Sequence, residues 1–287
     1  MFGRRSPAVQ PKAHEDASLP DALADGNRKA LDKRDKVRGQ GFATHKDAVQ
    51  AADAHKHTFP YFGSVACTVA GQDYSLFSVN DDVVAWMFFW TGTYETPLME
   101  LWDELTKRGG TSLDIGAYTG LYAMVAARNG CETHAFELLL RTAERAKVNF
   151  RLNGLEKAIK LHPYGLSNQT GHVEVKMPRH ADFLGTGNSI DDKSFAPSVD
   201  TTLCQVRSMD EVTEAEGLRN VRSVKIDVEG HEFELLSAMR PLIERDKPDM
   251  IVELSRRQDE CRALLSDMGY DVLPLLGANV HAKPKGA

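Results

Sequence analysis

A short glycine-containing segment, Asp114-Ile115-Gly116-Ala117-Tyr118-Thr119-Gly120, carries residue types that could hold a ligand. Gly116 and Gly120 allow the backbone to turn tightly and to approach a bound molecule, and a helix N-terminus beyond them would offer amide donors to a carboxylate. Asp114 could accept a hydrogen bond from an amino group. The spacing is G-x-x-x-G and not the G-x-G-x-x-G of dinucleotide-binding proteins. A plain tight turn therefore stays open as an alternative.

An acidic residue, Glu137, closes the next predicted strand about twenty residues after Asp114, a spacing known from nucleotide-binding α/β proteins. An acid in that place accepts hydrogen bonds from the hydroxyls of a ribose. A solvated surface glutamate is the alternative interpretation. The spacing from Asp114 favours the ribose interpretation over it.

A third set of charged residues lies in and after a predicted central strand. Lys225, Asp227 and Glu229 share one side of this strand, and charged residues are seldom buried unless they are paired. His231 follows at the start of a predicted helix. Glu253 ends the next predicted strand and would face the same cleft. A structural pair between Lys225 and Asp227, and a rim position for Glu253, are the simpler alternatives.

Strands and helices are predicted to alternate from residue 111 onward, because short apolar runs alternate with segments of helical periodicity. The predicted strands cover 111–115, 134–136, 159–162, 221–228, 250–254 and 270–273, with helices at 121–128, 138–152, 231–243 and 256–268. Between the third and fourth strands lie a hairpin strand at 172–175, a polar loop at 178–200 and an extended segment at 203–206. This alternation predicts an α/β fold with a mainly parallel sheet covered by helices on both faces.

Changes in composition predict four regions. Residues 1–57 are rich in Ala, Asp, Lys and Arg and poor in large apolar side chains, which predicts a mobile polar arm with one or two surface helices. Residues 58–110 are predicted to form a hairpin and helices that cap the substrate side. Residues 111–275 are predicted to form the ligand-binding domain, and residues 276–287 a C-terminal tail.

Composition also limits the classes of function. The chain has 287 residues, 42% of them hydrophobic, which suits one sizeable α/β core. With 35 basic and 41 acidic residues the formal net charge is -6, so neither nucleic acid nor an anionic membrane is expected as a partner. The four cysteines form no C-x-x-C pair, which favours reduced thiols and a cytoplasmic location. The longest apolar run, at 83–90, is too short to span a bilayer, and no feature indicates an oligomeric state.

In combination, these segments resemble the FkbM family of S-adenosylmethionine-dependent methyltransferases, from about Tyr94-Glu95 to Val272. The ordered set is more specific than any one motif: Leu113 to Ala117 with Gly120, Ala135-Phe136-Glu137, Asn153-Gly154-Leu155, Gly165-Leu166-Ser167, and Lys225 to Gly230 with Glu232. The resemblance implies a Rossmann-like class I methyltransferase fold with S-adenosylmethionine as methyl donor. It also implies O-methylation of a hydroxyl on a small molecule, a sugar or glycan, or a natural product.

The resemblance implies a role for each matching residue. Those expected to bind the cofactor are Asp114, Gly116, Tyr118 and Gly120 at the methionine end, Glu137 at the ribose, and Leu166 and Ser167 near the adenine; those expected on the acceptor side are Glu95, Glu229 and Glu253. Three positions depart from the family pattern. Tyr118 stands where the family usually has Asn, Leu138 replaces a usual Pro, and His231 occupies a variable position that is often small.

Methyl transfer to a hydroxyl is helped by a base, since a hydroxyl is a poor nucleophile until its proton is leaving. His231 is the first candidate, because the ordinary pKa of histidine, about 6.5, suits proton transfer, and Asp227 is the second. A histidine that is simply packed at the first turn of a helix is the alternative. Asp227, Glu229 and Glu253 could also converge on a hard cation such as magnesium, but the sequence does not establish convergence and no metal is assigned.

Three other functions share parts of this pattern. An N- or C-methyltransferase on the same fold would share every cofactor residue. A nicotinamide-dependent oxidoreductase would also use a parallel sheet and a ribose-binding acid, but the missing G-x-G-x-x-G argues against it. A non-catalytic protein that binds S-adenosylmethionine or a nucleotide would keep the fold, but the charged strand that contains Lys225 argues for chemistry.

Overall fold

The structure, a computed structural model, describes residues 21–178, 184 and 198–286. The helices are α1 (Asp21–Arg38), α2 (His45–Lys56), α3 (Val83–Thr91), α4 (Thr96–Thr106), α5 (Leu121–Arg128), α6 (Leu140–Leu152), α7 (Met209–Ala215), α8 (Glu232–Ala238), α9 (Arg240–Asp246) and α10 (Gln258–Asp267). The strands are β1 (Phe62–Val69), β2 (Gln72–Val79), β3 (Thr111–Ile115), β4 (Glu132–Phe136), β5 (Ile159–His162), β6 (Gly165–Ser167), β7 (Gly171–Pro178), β8 (Ser198–Ser208), β9 (Val221–Ile226), β10 (Asp249–Glu253), β11 (Tyr270–Pro274) and β12 (Asn279–Pro284).

The central sheet has the strand order β11-β12-β10-β9-β3-β4-β5. From β10 to β5 the strands are parallel, whereas β12 is antiparallel to both of its neighbours. One apolar cluster joins the sheet to α4, α5 and α6, and a second joins it to α8, α9 and α10. The predicted α/β fold with a mainly parallel sheet between helices is therefore confirmed.

The strand order reverses between β3 and β9. From β3 the chain continues to β4 and β5 on one side, and from β9 it continues to β10 on the other. The carboxyl ends of these strands meet at one edge of the sheet, and in open α/β sheets the crevice beyond such a reversal binds the ligand. The sheet therefore positions the residues that follow β3, β4, β9 and β10.

Two smaller sheets flank the central one. The predicted N-terminal hairpin is present as the antiparallel pair β1 and β2, which are joined at Ala70 and Gly71. Strands β6, β8 and β7 form a three-stranded sheet that contains the extended segments predicted at 172–175 and 203–206. Most of the loop predicted at 178–200 lies outside the described residues, and β8 begins already at Ser198.

The N-terminal helices are more closely packed than the composition of residues 1–57 predicts. Instead of a mobile polar arm, the described part from residue 21 forms α1 and α2, which pack against α3. Small side chains such as Ala30 and Ala52 are fully buried there, and the ring of His55 lies 5.3 Å from that of Trp90. The packing is possible because α3 is apolar on all sides, and a helix of that kind must be covered.

The C-terminal segment also differs from the prediction. Residues 276–287 were expected to form a tail, but β12 lies inside the central sheet between β10 and β11. The buried apolar side of this strand consists of Val280, Ala282 and Pro284, which is a weak pattern in the sequence. The helix predicted at 231–243 is divided into α8 and α9, because Pro241 lacks the N–H that a continuous helix requires.

Candidate functional site

A cleft opens at the carboxyl edge of the central sheet. It brings together ten of the twelve residues that the sequence singled out, namely Glu95, Gly116, Tyr118, Gly120, Glu137, Leu166, Asp227, Glu229, His231 and Glu253. The other two, Asp114 and Ser167, do not line the cleft, but each adjoins a residue that does: Asp114 pairs with Lys225 across the sheet, and the hydroxyl of Ser167 lies 3.0 Å from His231. The cleft therefore lies where the strand order predicts a ligand site.

Gly116 lets the loop after β3 lie directly against the end of β9. Its φ is 80°, and a Cβ atom at this position would stand 1.7 Å from the backbone oxygen of Asp227. The amides of Gly116 and Ala117 both donate to the carbonyl of Phe136, at 2.9 Å each. The glycine thus joins the ends of three strands at the floor of the cleft, a role that no larger residue can fill.

Gly120 is required by packing on the side away from the cleft. Its φ is 88°, and a Cβ atom would stand 2.3 Å from the ring of Phe150 on α6. Helix α5 begins at the next residue, Leu121, so the close approach of α6 fixes where this helix starts. The first turn of α5 lies along the cleft as the sequence predicts.

Asp114 is not on the cleft wall. Its side chain is 1% exposed, and Oδ2 accepts a hydrogen bond from the backbone N–H of Ala123 in the first turn of α5, at 2.8 Å. Burial raises the pKa of this carboxyl to about 7, against the opposing charge of Lys225. Asp114 therefore supports the loop and the helix start from below, whereas the sequence suggested direct contact with a ligand amino group.

The carboxylate of Glu137 holds the loop after β3 and the loop after β4. Oε2 accepts from the backbone N–H of Tyr118 at 2.9 Å, and Oε1 accepts from the backbone N–H of Leu139 at 2.8 Å. The side chain is 7% exposed and lines the cleft, and burial raises its pKa to about 7 although the two amides lower it. Each carboxylate oxygen has a second lone pair, so Glu137 can still accept from a ligand hydroxyl.

Tyr118 connects the loop after β3 to the N-terminal helices. It adopts a left-handed conformation with φ 49°, and its hydroxyl accepts a hydrogen bond from the backbone N–H of Val83 at the start of α3, at 3.2 Å. Val83 and Val84 also line the cleft. The ring that replaces the short Asn of the family thus builds part of the wall and ties it to α3.

One end of the cleft is formed by β6 and the start of α8. Gly165 and Leu166 line it, and the hydroxyl of Ser167 lies 3.0 Å from Nε2 of His231. His231 itself lines the cleft, and its Nδ1 lies 3.9 Å from Glu234. The imidazole is thus held at the Leu166 end of the cleft.

The opposite end is strongly acidic around one buried ammonium group. Lys225 is 2% exposed, with Nζ 3.5 Å from Oδ2 of Asp227 and 3.5 Å from Oδ1 of Asn279. Burial lowers the pKa of Lys225, but nearby carboxylates, Asp227 first and then Glu95, outweigh it and hold the pKa above its ordinary value. The structural pair of Lys225 and Asp227 that the sequence suggested is therefore present, and it lies inside the cleft.

Two further glutamates and a tyrosine complete the acidic end. Burial and the charge of Asp227 raise the pKa of Glu253 to about 8. The hydroxyl of Tyr122 on α5 donates to Oε2 of Glu95 at 2.8 Å, and Nζ of Lys225 lies 5.3 Å from the centre of the Tyr122 ring. Among the described residues, the carboxylates of Asp227, Glu229 and Glu253 do not form a group whose ligand atoms all lie within 4.8 Å of one another.

Several residues that line the cleft could not be identified as site residues from residue type alone. The aromatic rings of Tyr94 and Tyr122 and the apolar side chains of Val83 and Leu138 line the cleft. Burial raises the pKa of Tyr122 well above its ordinary value, with Glu95 adding to the effect, so its hydroxyl stays a donor. The one available signal was the place of Tyr122, in the first turn of the helix that follows Gly120.

Several solved structures are similar to this chain at low sequence identity. A methyltransferase FkbM from Methylobacillus flagellatus KT is 16% identical, with a TM-score of 0.43 over 69% of this chain and 51% of that one. A SAM-dependent methyltransferase from Agrobacterium tumefaciens is 13% identical, with a TM-score of 0.42 over 71% of this chain and 58% of that one. A tRNA (uracil-54, C5)-methyltransferase from Pyrococcus abyssi, in complex with S-adenosyl-L-homocysteine, is 13% identical, with a TM-score of 0.41 over 77% and 44%.

The chain spans about half of the first of these proteins, at 51%, and 58% of the second. Comparison with curated proteins gives no match.

The family comparison covers the site itself. The model of the methyltransferase FkbM domain matches residues 114–272, more than half of the chain. The match begins at Asp114 in β3, includes Glu137 and the acidic end of β9, and finishes at Val272 in β11. It confirms the resemblance seen in the ordered motifs: the chain belongs to the FkbM methyltransferase family.

Proposed function

We propose that this protein transfers a methyl group from S-adenosylmethionine to a hydroxyl of a small molecule, a sugar or glycan, or a natural product. The observation that carries the proposal is the pairing of two different ends in one cleft. Glu137, fixed by two backbone amides, lies in the same cavity as the carboxylates of Asp227, Glu229 and Glu253. The family match supports methyl transfer as the reaction.

The residues that line the cleft suit the different parts of S-adenosylmethionine. Leu138, Leu166 and Phe136 offer an apolar surface of the kind an adenine ring requires. The unused lone pairs of Glu137 suit the two ribose hydroxyls. The positively charged sulfonium group suits the acidic end, where Coulomb attraction in a partly buried site is stronger than in water.

Asp227 is the base that the geometry favours. It lines the acidic end, where its Oδ2 lies 3.5 Å from Nζ of Lys225. His231, in contrast, points Nε2 at the hydroxyl of Ser167, next to Leu166. In this proposal His231 positions the Leu166 end of the cleft, and Asp227 acts on the acceptor.

In the proposed reaction the acceptor hydroxyl loses a proton and gains a methyl group. When bound, S-adenosylmethionine supplies an activated methyl group. Asp227 would accept the proton of the acceptor hydroxyl as that oxygen takes the methyl group, and the released product would be S-adenosylhomocysteine. Orientation within the cleft contributes the larger part of the rate, because well-aligned intramolecular reactions gain about 7 to 11 kcal/mol, and base catalysis adds about 100-fold or more.

Charge and shape of the cleft support an acceptor without phosphates. The carboxylates of Glu95, Asp227, Glu229 and Glu253 face Lys225 as the ammonium group among them. A phosphate backbone would be repelled there, since proteins bind nucleic acid through clustered basic residues. Within the part of the chain that the structure describes, no helix is long and apolar enough to cross a membrane.

The proposal is tested by incubating the purified protein with S-adenosylmethionine labelled in the methyl group and with fractionated acceptor pools, including sugars, glycans, natural products and RNA. Mass spectrometry of the labelled product identifies the methylated atom. We expect a methoxy group on a hydroxyl, and we expect the label to disappear in Asp227→Asn. Label on nitrogen, carbon or RNA would contradict the acceptor class, and absence of S-adenosylhomocysteine in every pool would indicate a binding protein without turnover.

A further inference from the structure

A second cluster of side chains that could coordinate a ligand lies on β4, β5 and the end of α7, and none of its members lines the cleft. His134 is in the middle of β4, His162 ends β5, and Glu216 directly follows α7. One ligand atom from each of the three lies within 4.8 Å of the others, and within the described residues no other group of three or more such side chains meets this condition. Both imidazoles are buried, and only Glu216 reaches toward solvent.

The two imidazoles have the separation that a shared metal ion requires. Nδ1 of His134 lies 3.1 Å from Nε2 of His162. Zinc binds histidine nitrogen at about 2.0 to 2.1 Å in tetrahedral geometry, which puts two such nitrogens about 3.3 Å apart. The separation of the pair is therefore close to the one that a shared ion requires, and each ring must turn so that its lone pair points at the ion and not at the other nitrogen. The Glu216 carboxylate supplies a third, charged ligand.

Neighbouring side chains orient His162 as the outer contacts of a metal site do. The hydroxyl of Tyr164 lies 3.0 Å from Nδ1 of His162, and the Phe136 ring stacks on the imidazole with centres 4.4 Å apart. If Nδ1 of His162 donates its proton to Tyr164, Nε2 presents a lone pair toward His134. This second hydrogen bond is the arrangement that fixes the tautomer of metal-binding histidines.

Metal binding also requires the proton between the two imidazoles to move to another nitrogen. With His162 protonated on Nδ1, Nδ1 of His134 donates to Nε2 of His162 in the metal-free protein. When a metal binds, His134 changes tautomer and carries its proton on Nε2, which lies 3.7 Å from a carboxylate oxygen of Glu132. No proton needs to leave the pair, and both ligands are neutral imidazoles as metal binding requires.

We propose that His134, His162 and Glu216 bind one zinc ion, with water at the fourth position. Two histidines and one glutamate are an established zinc ligand set, and three protein ligands leave one position open. The ion would tie the edge strand β5 to β4 and to the end of α7. Its competitor is the ammonium group of Lys160, which forms an ion pair with Glu216 in the metal-free protein.

The test uses the full chain without an affinity tag, stripped with EDTA, dialysed and titrated with zinc against a coloured zinc chelator. We expect one equivalent to bind with a Kd of about 1 µM or tighter. Glu216→Gln should weaken binding about tenfold or more, and His162→Asn should abolish it. Glu214→Gln changes an exposed carboxylate on α7, two residues before Glu216, and should leave the affinity unchanged.

Cobalt substitution gives a readout that does not depend on stability. Co²⁺ in a tetrahedral site with nitrogen ligands shows intense visible absorption, which we expect in the wild-type protein and in Glu214→Gln but not in His162→Asn. Melting curves show whether each variant is folded. If the wild type binds no zinc, or if Glu216→Gln and Glu214→Gln bind it equally and give the same cobalt spectrum, the proposal is wrong.

Discussion

The two ends of the cleft hold carboxylates in opposite ways. At one end the single carboxylate of Glu137 accepts from the backbone amides of Tyr118 and Leu139, so its position is fixed by the chain itself. At the other end four carboxylates surround Lys225, whose contacts to Asp227 and Asn279 are long, at 3.5 Å each. The first end is rigid, and the second carries an excess of negative charge.

This difference separates binding from chemistry. A carboxylate held by backbone amides keeps its geometry and suits recognition of a fixed group such as a ribose. Crowded carboxylates, in contrast, compete for protons, and burial with the charge of Asp227 raises the pKa of Glu253 to about 8. We therefore assign cofactor recognition to Glu137 and proton transfer to the acidic end, and four predictions test this division.

The largest effect is expected from Gly116→Ala, which removes the contact that joins the two ends. The new Cβ would stand 1.7 Å from the carbonyl oxygen of Asp227, so either the loop or β9 must move. We expect a loss of about 3 kcal/mol in the free energy of unfolding, measured by urea denaturation.

Gly130→Ala is the matched control for this substitution. Gly130 has a similar φ of 87° but no atom within 4 Å of the added Cβ, so only the backbone strain remains, about 1 kcal/mol. Equal losses in the two variants would show that the close approach to Asp227 has no energetic importance.

The next effect concerns the acidic end alone. Asp227→Asn should lower turnover about 100-fold or more, which corresponds to about 2.7 kcal/mol, while the Kd for S-adenosylhomocysteine changes little. His231→Ala, at the opposite end, should keep most of its turnover. The reverse pattern, with His231→Ala inactive and Asp227→Asn active, would move the base to the histidine.

A somewhat smaller effect is expected at the rigid end. Glu137→Ala should weaken binding of S-adenosylhomocysteine by about 1.5 to 3 kcal/mol, because a charged acceptor is lost from the ribose hydroxyls. Isothermal titration calorimetry measures this change, and Glu144→Ala, an exposed glutamate on α6, is the control. Unchanged affinity in Glu137→Ala would reduce Glu137 to a structural link between the two loops.

The smallest effect, taken per pH unit, is a change in the pH dependence of stability. The pKa of Glu253 is raised to about 8, so between pH 4.5 and 8 the folded protein keeps a proton that the unfolded chain has released. Stability from this group is therefore present at low pH and is lost as the pH rises through 8. Glu253→Gln should flatten the slope by at most one proton, about 1.4 kcal/mol per pH unit. A steeper slope in the variant would contradict the raised pKa.

The positions along the strands could be predicted from the sequence, whereas side-chain directions could not. Glu137 and Asp227 were placed correctly because parallel strands end at one edge, which spacing alone reveals. Asp114 also ends near that edge, but its carboxylate turns to the N–H of Ala123, a contact between β3 and α5 that depends on packing. The pair of His134 and His162 is likewise invisible in the sequence, since 28 residues separate them and only the register of β4 and β5 brings them together.

Strand β12 was not predicted, and the close packing of the N-terminal helices was not expected, because the sequence pattern of both regions is weak. Strand β12 has few apolar residues and is held by partners on both sides, so its place in the sheet depends on β10 and β11. Helices α1 and α2 are polar overall, and their order comes from covering the apolar helix α3. In both cases tertiary contacts outweigh the local structural preference of the segment. Such contacts cannot be predicted from the sequence of one segment alone.

The most direct test of the central claim is calorimetric titration of the wild-type protein with S-adenosylhomocysteine, followed by a melting curve with and without the ligand. We predict one molecule bound per chain and, at about 100 times the Kd, a stabilisation of about 2.7 kcal/mol. NADH should produce neither heat nor a melting shift. A melting shift with NADH and none with S-adenosylhomocysteine would contradict the assignment of this cleft to S-adenosylmethionine.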